Sequence, residues 1–455
     1  MTEENPVTPS STRTPAPRNK SRRNAGRPAA SRPLTALTVL TALTVLATGA
    51  AVTVVPAQAQ VPDVAGQVGE YLPATVPPVQ HAGAPVPQPL APSDYGWYVS
   101  DISSYGNGTY YSVVSSFEDL RANHPEVMAE SLDTVVGVNN SADAATVARA
   151  QVDAAADDGD LLTALSDGFG EELGSALRTA LAENRLPKTR ALMDSGYLSR
   201  AGGLASSTLI EKEIFGYDRP FEVAPERITK HTGGGNEDLY ALGGSKAFPS
   251  GHTNQASWTT TLLAVLLPEL APQLLARGAE AGYNRMVMGV HYPLDVIGGR
   301  MTGQAAAGDR WNDPRMREVL TGAGEELRAE LEWRTGRPLA EAVAQDTAYR
   351  TTDDAVAEFT ERMTQGMGRV GEQDAALTVP QGAPELLVNA FPDLSWGQRA
   401  RVLAATALPA GFPLDDQSAN GREVGSWQRI NLAAAFAADV RVDADGRMSV
   451  NGAAA

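Results

Sequence analysis

The sequence predicts an all-α protein, a helical bundle followed by a further, mainly helical C-terminal region. Apolar residues recur at three- and four-residue spacing through the middle of the chain, which is the pattern of amphipathic helices. Strand-like alternation of apolar and polar residues is scarce. The 455 residues, 43% of them hydrophobic, are enough for one large domain or two.

Residues 1–59 have the pattern of an export signal. A basic stretch rich in Pro, Ser and Thr precedes an apolar run at residues 34–55, and Ala57-Gln58-Ala59 has the small-x-small form of a cleavage site. The apolar run is close to membrane-spanning length, so a retained anchor is the alternative to cleavage. We therefore expect a secreted or cell-envelope protein.

Three further regions are predicted along the chain. Residues 60–93 are rich in Pro and nearly uncharged, which is typical of an extended linker. Helices are predicted at residues 144–156, 161–181, 205–214, 254–267, 272–287 and 294–307. Residues 309–455 form a predicted accessory region, with helices at 316–333, 339–343 and 355–367 and a hairpin at 440–450.

Composition excludes several kinds of chemistry. The chain has no cysteine, so disulfides, thiolate metal sites and a thiol nucleophile are excluded. The net charge is -17, although residues 1–59 alone carry a net positive charge, so the rest of the chain is more acidic still. Because an acidic body repels nucleic acid, we expect no nucleic-acid partner, and any anion pocket must be locally basic.

Three clusters carry residues suited to binding and attacking a tetrahedral anion. They are Lys212 with Arg219-Pro220, then Pro249-Ser250-Gly251-His252, then Arg285 with His291 and Asp295. Phosphoryl transfer without a metal needs fixed donors for the charge on three oxygens, and the candidates are Lys212, Arg219 and Arg285.

Helical spacing connects the residues within these clusters. If the helix predicted from residue 205 continues, Lys212 and Arg219 lie on one face, and Pro220 is expected to end that helix at Arg219. Ser250 and Gly251 open a helical stretch whose backbone N–H groups can point at an anion. On a helix, Asp295 lies one turn from His291 and can hold its imidazole in one tautomer.

The ordered motifs resemble those of the superfamily of type 2 phosphatidic acid phosphatases (PAP2) and vanadium haloperoxidases. Six residues separate Lys212 from Arg219, five separate Arg285 from His291, and three separate His291 from Asp295. The sequences RPF and PSGHT, and the short segment after PSGH, resemble bacterial class A non-specific acid phosphatases in particular. The resemblance implies a bundle of the PAP2 type that occupies residues 94–308.

The resemblance also implies a role for each motif residue. His291 would be the nucleophile that forms a phosphohistidine, Asp295 would orient it, and His252 would be the general acid. The phosphoryl oxygens would be held by Lys212, Arg219, Ser250, Gly251 and Arg285. The implied reaction is hydrolysis of small phosphate monoesters with no metal or other cofactor. Asn284 departs from the family, which usually has serine there, and we expect it to tune activity.

Three alternatives stay open at this stage. The same residues would hold vanadate, with His291 as its ligand, in a vanadium-dependent haloperoxidase. The catalytic fold could instead act on lipid phosphates or prenyl diphosphates at the outer membrane face, especially if the N-terminal anchor is retained. The accessory region could also be a binding module for the cell wall or a partner.

Overall fold

The computed structural model describes residues 76–91, 110–156, 160–194, 208–232, 237–242, 244–419, 422–423 and 425–455. The predicted export signal lies outside these residues, as does the linker up to residue 75. Residues 76–455 group into one compact unit. Across the described ranges, no helix is both long and apolar enough to cross a membrane.

The predicted helical class is confirmed. The helices before the second motif are α1 (Tyr111–Val114), α2 (Phe117–Asn123), α3 (Pro125–Ser141), α4 (Ala144–Ala155), α5 (Leu161–Ala164), α6 (Glu171–Ala182), α7 (Pro187–Met193), α8 (Leu209–Phe215) and α9 (Pro220–Val223). Short 3-10 turns lie at Ser166–Phe169 and Glu237–Tyr240. Helix α4 matches the prediction for residues 144–156.

The single helix predicted for residues 161–181 is wrong, because the chain breaks it into α5, a 3-10 turn and α6. The break falls at Gly170, whose φ of 105° is a left-handed conformation that favours glycine. A Cβ at this position would lie 2.5 Å from Oδ2 of Asp346, so the packing also requires glycine here.

Three long helices form the centre of the bundle, and they agree with the predicted positions. Helix α10 (Gly251–Leu266) packs between α11 (Ala271–Val287) and α12 (Pro293–Asn312). Nearly every residue of α10 is buried. Glycines on α12 allow its close approach to α10, since a Cβ on Gly299 would lie 2.6 Å from the carbonyl oxygen of Ser250.

The C-terminal region packs onto the same centre. Its helices are α13 (Pro314–Thr335), α14 (Leu339–Gln345), α15 (Thr352–Thr364), α16 (Trp396–Ala405) and α17 (Leu432–Phe436), with 3-10 turns at Pro384–Leu387 and Trp427–Arg429. Another 3-10 turn, Pro268–Leu270, joins α10 to α11. Helices α15 and α17 lie against α11. Buried side chains from both sides of residue 308, such as Leu262 and Trp427, belong to one hydrophobic cluster.

The strands are short. β1 (Ser418–Ala419) pairs antiparallel with β2 (Arg422–Glu423). β3 (Val440–Val442) pairs antiparallel with β4 (Met448–Val450), and β5 (Ala453–Ala454) adds to β4. The hairpin predicted at residues 440–450 is therefore present, with Gly446 in a left-handed turn conformation.

The part of the linker that the structure describes has no helix or strand, but the body holds it. The backbone N–H of Val79 donates to the carbonyl of Glu183 (3.0 Å). The buried guanidinium of Arg185 donates to the carbonyls of Val79 (2.8 Å) and Pro85 (2.7 Å). Residues 76–91 are thus an extended segment fixed along the bundle.

Candidate active site

His291 and Asp295 meet at the start of α12. His291 precedes the helix, Tyr292 is its N-cap, and Asp295 lies in the first turn. Oδ2 of Asp295 accepts hydrogen bonds from the Tyr292 backbone N–H (2.8 Å) and from Nδ1 of His291 (3.1 Å). The expected pair is present, but a capping turn forms it rather than two positions of one helix.

The tautomer of His291 follows from its two neighbours. Nε2 of His291 lies 3.1 Å from a terminal nitrogen of Arg219. A guanidinium can only donate and a carboxylate accepts, so Nδ1 carries the proton and Nε2 presents a lone pair. Nε2, the nitrogen that the Asp295 contact leaves free, is therefore unprotonated and faces Arg219.

Arg219 reaches His291 from an extended segment. Helix α8 ends at Phe215, where Gly216 adopts a left-handed C-cap (φ 55°), and Arg219 is extended ahead of Pro220. The expectation that one helix reaches Arg219 is therefore wrong. The buried Arg219 also donates to the carbonyls of Ser245 (2.7 Å) and Val290 (3.0 Å), which fix its position.

Lys212 lies in α8 and is buried. Its ammonium donates to the carbonyls of Lys246 and Ala247 (3.1 Å for the second), in the segment that leads into the second motif. Its charge acts on both His291 and Asp295. Lys212 thus both holds this segment and adds positive potential at the site.

Ser250 joins the second motif to the third. Its backbone N–H donates to the carbonyl of Asp295 (2.9 Å), and its hydroxyl caps α10 by accepting from the backbone N–H of Thr253 (3.3 Å). Gly251 is the first residue of α10, so its backbone N–H lies at the helix N-terminus. The predicted helix-start geometry is therefore present.

His252 and Arg285 lie together on the wall of a small enclosed cavity. The cavity measures about 10 Å³ and is also lined by Asp153 and Gln255. His252 is in the first turn of α10 and half-buried, while Arg285 is in the last turn of α11 and buried. The structure thus brings the general-acid candidate next to a cation of the third motif.

The charges converge on a buried imidazole. Burial lowers the pKa of His291 well below its usual value, and Arg219, Lys212, Arg285 and His252 lower that pKa further.

Burial raises the pKa of Asp295, although the Tyr292 N–H and the nearby Lys212 and Arg219 act against the rise. His291 is consequently held neutral in a positive field.

Sequence reasoning missed a buried polar group that shares the wall of the small cavity with Arg285. Asp153 on α4 and Arg277 on α11 form a buried ion pair, and the Asn284 amide donates to Oδ2 of Asp153 (2.6 Å). Arg277 also binds Asp167 (3.0 Å). The only signal in the sequence is an aspartate on the buried face of α4, which does not reveal its partners.

A neutral imidazole facing several cations in a helical bundle has the chemistry suited to binding an oxyanion. Residues 193–316, which include all three motifs, match the family model described as PAP2 superfamily. The resemblance inferred from the motifs is thereby confirmed.

The similar proteins are bacterial phosphatases. The non-specific acid phosphatase of Salmonella typhimurium is 30% identical over 121 residues, 27% of this chain and 46% of that protein. The non-specific acid phosphatase of Providencia stuartii is 27% identical over 174 residues, 38% and 65% of the two chains. The acid phosphatase of Zymomonas mobilis is 37% identical over 73 residues, 16% and 28% of the two chains. The chain thus spans less than two thirds of the length of each.

Proposed function

We propose that this protein hydrolyses phosphate monoesters by passing the phosphoryl group through Nε2 of His291. The observation that carries the proposal is the lone pair on Nε2, fixed by the Asp295 carboxylate on Nδ1 and directed toward Arg219. In-line attack by this nitrogen forms an N–P bond as the ester P–O bond breaks. Water then attacks phosphorus and breaks the N–P bond.

Proton transfer is assigned to His252. Its protonated imidazole gives a proton to the leaving alcohol in the first step, and its neutral form takes one from water in the second. A general acid of this kind contributes typically about 10²- to 10⁴-fold in rate. Because one histidine must be neutral and the other protonated, we expect a bell-shaped pH profile on the acid to neutral side.

The negative charge on the phosphoryl oxygens would be stabilised by cationic side chains of the protein. Lys212, Arg219 and Arg285 all act electrostatically on His291, so an anion bound beside its ring meets the same positive field. We propose that Ser250 and the Gly251 N–H complete the phosphate site. With this charge supplied by side chains, we propose that the reaction proceeds without a metal ion or other cofactor.

The substrates and location are proposed by analogy with the similar proteins. A site that grips only the phosphoryl group accepts many leaving groups, so we propose small phosphorylated molecules as substrates. The N-terminal sequence pattern supports secretion or residence in the cell envelope.

The proposal is tested by hydrolysis of an aryl phosphate by the full chain in excess chelator, beside His291→Ala. We expect activity that falls by at least about 10⁴-fold in the variant, since no other group replaces the nucleophile. His231→Gln is the matched control, because His231 lies 3.3 Å from the carbonyl of Asn139 and takes no part in the proposed chemistry. Rapid quenching should trap acid-labile, alkali-stable phosphate on the native protein.

Two results would contradict the proposal. Loss of activity in chelator with recovery in zinc or magnesium would establish a metal enzyme. A folded protein that hydrolyses no phosphate ester but oxidises bromide with peroxide after vanadate loading would establish the haloperoxidase alternative.

A further inference from the structure

A second enclosed cavity lies among α10, α11, α12 and α15, and its polar walls differ from those of the His291 site. Its volume is about 10 Å³. Its polar lining includes Thr261 on α10, Arg300 and Gln304 on α12, and Gln365 just after α15. It therefore lies where the C-terminal region packs onto the central helices.

Arg300 brings a positive charge to this cavity without a carboxylate beside it in the described part of the chain. One terminal nitrogen donates to Oε1 of Gln304 (2.9 Å) and to the carbonyl of Trp427 (3.2 Å). The other donates to the carbonyl (3.1 Å) and the side-chain oxygen of Gln428. All of these acceptors are neutral.

Burial makes the positive charge of Arg300 costly. Burial alone lowers the pKa of Arg300 to about 9, and no neighbouring charge opposes the change. The buried Arg277 shows the contrary case, because Asp153 and Asp167 raise its pKa. A cation buried among neutral groups is costly unless a counter-charge is supplied.

Several polar atoms around the cavity lack a hydrogen-bond partner among the described residues. They are Nε of Arg300, Nε2 of Gln304, Oγ1 of Thr261 and Oε1 of Gln365. All four side chains belong to residues that are at most 5% exposed. Arg300, Gln304 and Thr261 each offer an N–H or O–H donor, and the Gln365 amide offers one if its oxygen and nitrogen exchange places.

We propose that this cavity binds a monatomic anion of the chloride class, held by Arg300, Gln304 and Thr261. Its size sets an upper limit, because a cavity of about 10–15 Å³ has room for one small occupant and not for a phosphate or sulfate. The anion neutralises Arg300 and satisfies the donors together. It thereby stabilises the contact of α15 and the Trp427–Arg429 turn with the central helices.

The test measures the thermal unfolding midpoint of the full chain as chloride or bromide replaces gluconate at constant ionic strength. Since the anion binds the folded state, we expect the midpoint to rise by a few degrees with halide concentration. Crystals grown in bromide should show an anomalous peak within hydrogen-bond distance of Nε of Arg300.

Two near-isosteric variants separate this site from general salt effects. Gln304→Glu places a carboxylate beside Arg300, so the midpoint should no longer depend on halide. Thr261→Val removes one donor and should raise the half-maximal halide concentration by about tenfold. Thr259→Val is the matched control, because Thr259 is equally buried on α10 with an unpartnered hydroxyl but does not line the cavity.

The proposal predicts that halide dependence is lost in Gln304→Glu, weakened in Thr261→Val and retained in Thr259→Val. A midpoint that does not respond to halide in the unsubstituted protein would overturn it and leave water as the occupant. A response that persists in both cavity variants would also overturn it, because the halide would then act elsewhere.

Discussion

Helix α11 carries two buried arginines, eight residues apart, in opposite electrostatic surroundings. Arg277 lies between Asp153 and Asp167, and these carboxylates raise its pKa. Near the other end of the helix, Arg285 acts with Lys212 and Arg219 to lower the pKa of His291. One cluster balances its charges, whereas the other concentrates positive potential on a neutral base.

The comparison distinguishes a charge cluster that stabilises the fold from one whose positive field is suited to binding an anion. Around Arg277 the attraction is already satisfied within the protein, so the pair fixes α4 against α11 and gains nothing from a ligand. Around His291 a phosphoryl dianion would meet several cations at once and would offset the field that keeps the imidazole neutral. Substitutions in the first cluster should affect folding, and those in the second should affect catalysis.

Among the substitutions that test this comparison, Asp295→Asn should have the largest effect. An asparagine amide can donate to Nδ1 of His291 and so favour the tautomer with its proton on Nε2, which removes the attacking lone pair. We expect kcat on an aryl phosphate to fall by about 10³- to 10⁴-fold. Asp143→Asn at the exposed N-cap of α4 is the control, since asparagine caps equally well. A loss below tenfold in Asp295→Asn would show that the tautomer does not matter.

Arg277→Met acts on the cluster of Arg277, Asp153 and Asp167 and should reduce stability rather than catalysis. It leaves Asp153 buried with an unpaired charge, so we expect the free energy of unfolding to fall by about 3–5 kcal/mol in denaturant titrations. Arg149→Met is the matched control, because Arg149 also pairs with Asp167 but its side chain is 31% exposed. Its loss should stay within about 1 kcal/mol. Equal losses in the two variants would remove the distinction between the clusters.

Arg219 tests whether the positive field acts on the base as well as on the substrate. Arg219→Gln removes a charge that lowers the pKa values of both His291 and Asp295, so both should rise. The acid limb of kcat/KM should then move to higher pH, and kcat/KM should fall by about 10²- to 10³-fold.

Arg219→Lys separates charge from geometry at this position. It keeps the charge and loses the planar fork, so we expect reduced kcat/KM with the acid limb unmoved. An acid limb that stays in place in Arg219→Gln, or moves to lower pH, would contradict the electrostatic account.

Local sequence patterns predicted much of this site. The pairing of His291 with Asp295 and the helix start at Gly251 each depend on residues within a few positions of one another. The early end of α8 was missed although Gly216 is a typical C-cap residue, because the interpretation relied on Pro220 alone. The ion pair between Asp153 and Arg277 joins residues far apart in the chain, and one sequence contains no record of such contacts.

Prediction of the fold was likewise limited by tertiary contacts that a single sequence does not reveal. Helix α3 was not predicted, because its buried positions include Ser131 and Asn139 beside valines and so weaken the apolar period. The Asn139 amide donates to the carbonyl of Val287 (2.7 Å), a tertiary contact that repays its burial. Arg300 likewise appeared to be one residue of a helix, and its neutral surroundings depend on Trp427 and Gln428 from the end of the chain.

The smallest effect is expected where the motif itself departs from the family. Asn284 donates to Asp153 in the cluster around Arg277, although it directly precedes Arg285 of the third motif. Asn284→Ser should therefore lower the free energy of unfolding by about 1.5–3 kcal/mol, the value of a hydrogen bond to a charged group. We expect kcat to change by less than about threefold, because Arg277 still holds Asp153. A tenfold loss of kcat in a variant of unchanged stability would instead place Asn284 on the phosphoryl group, and the two clusters would then be one functional unit.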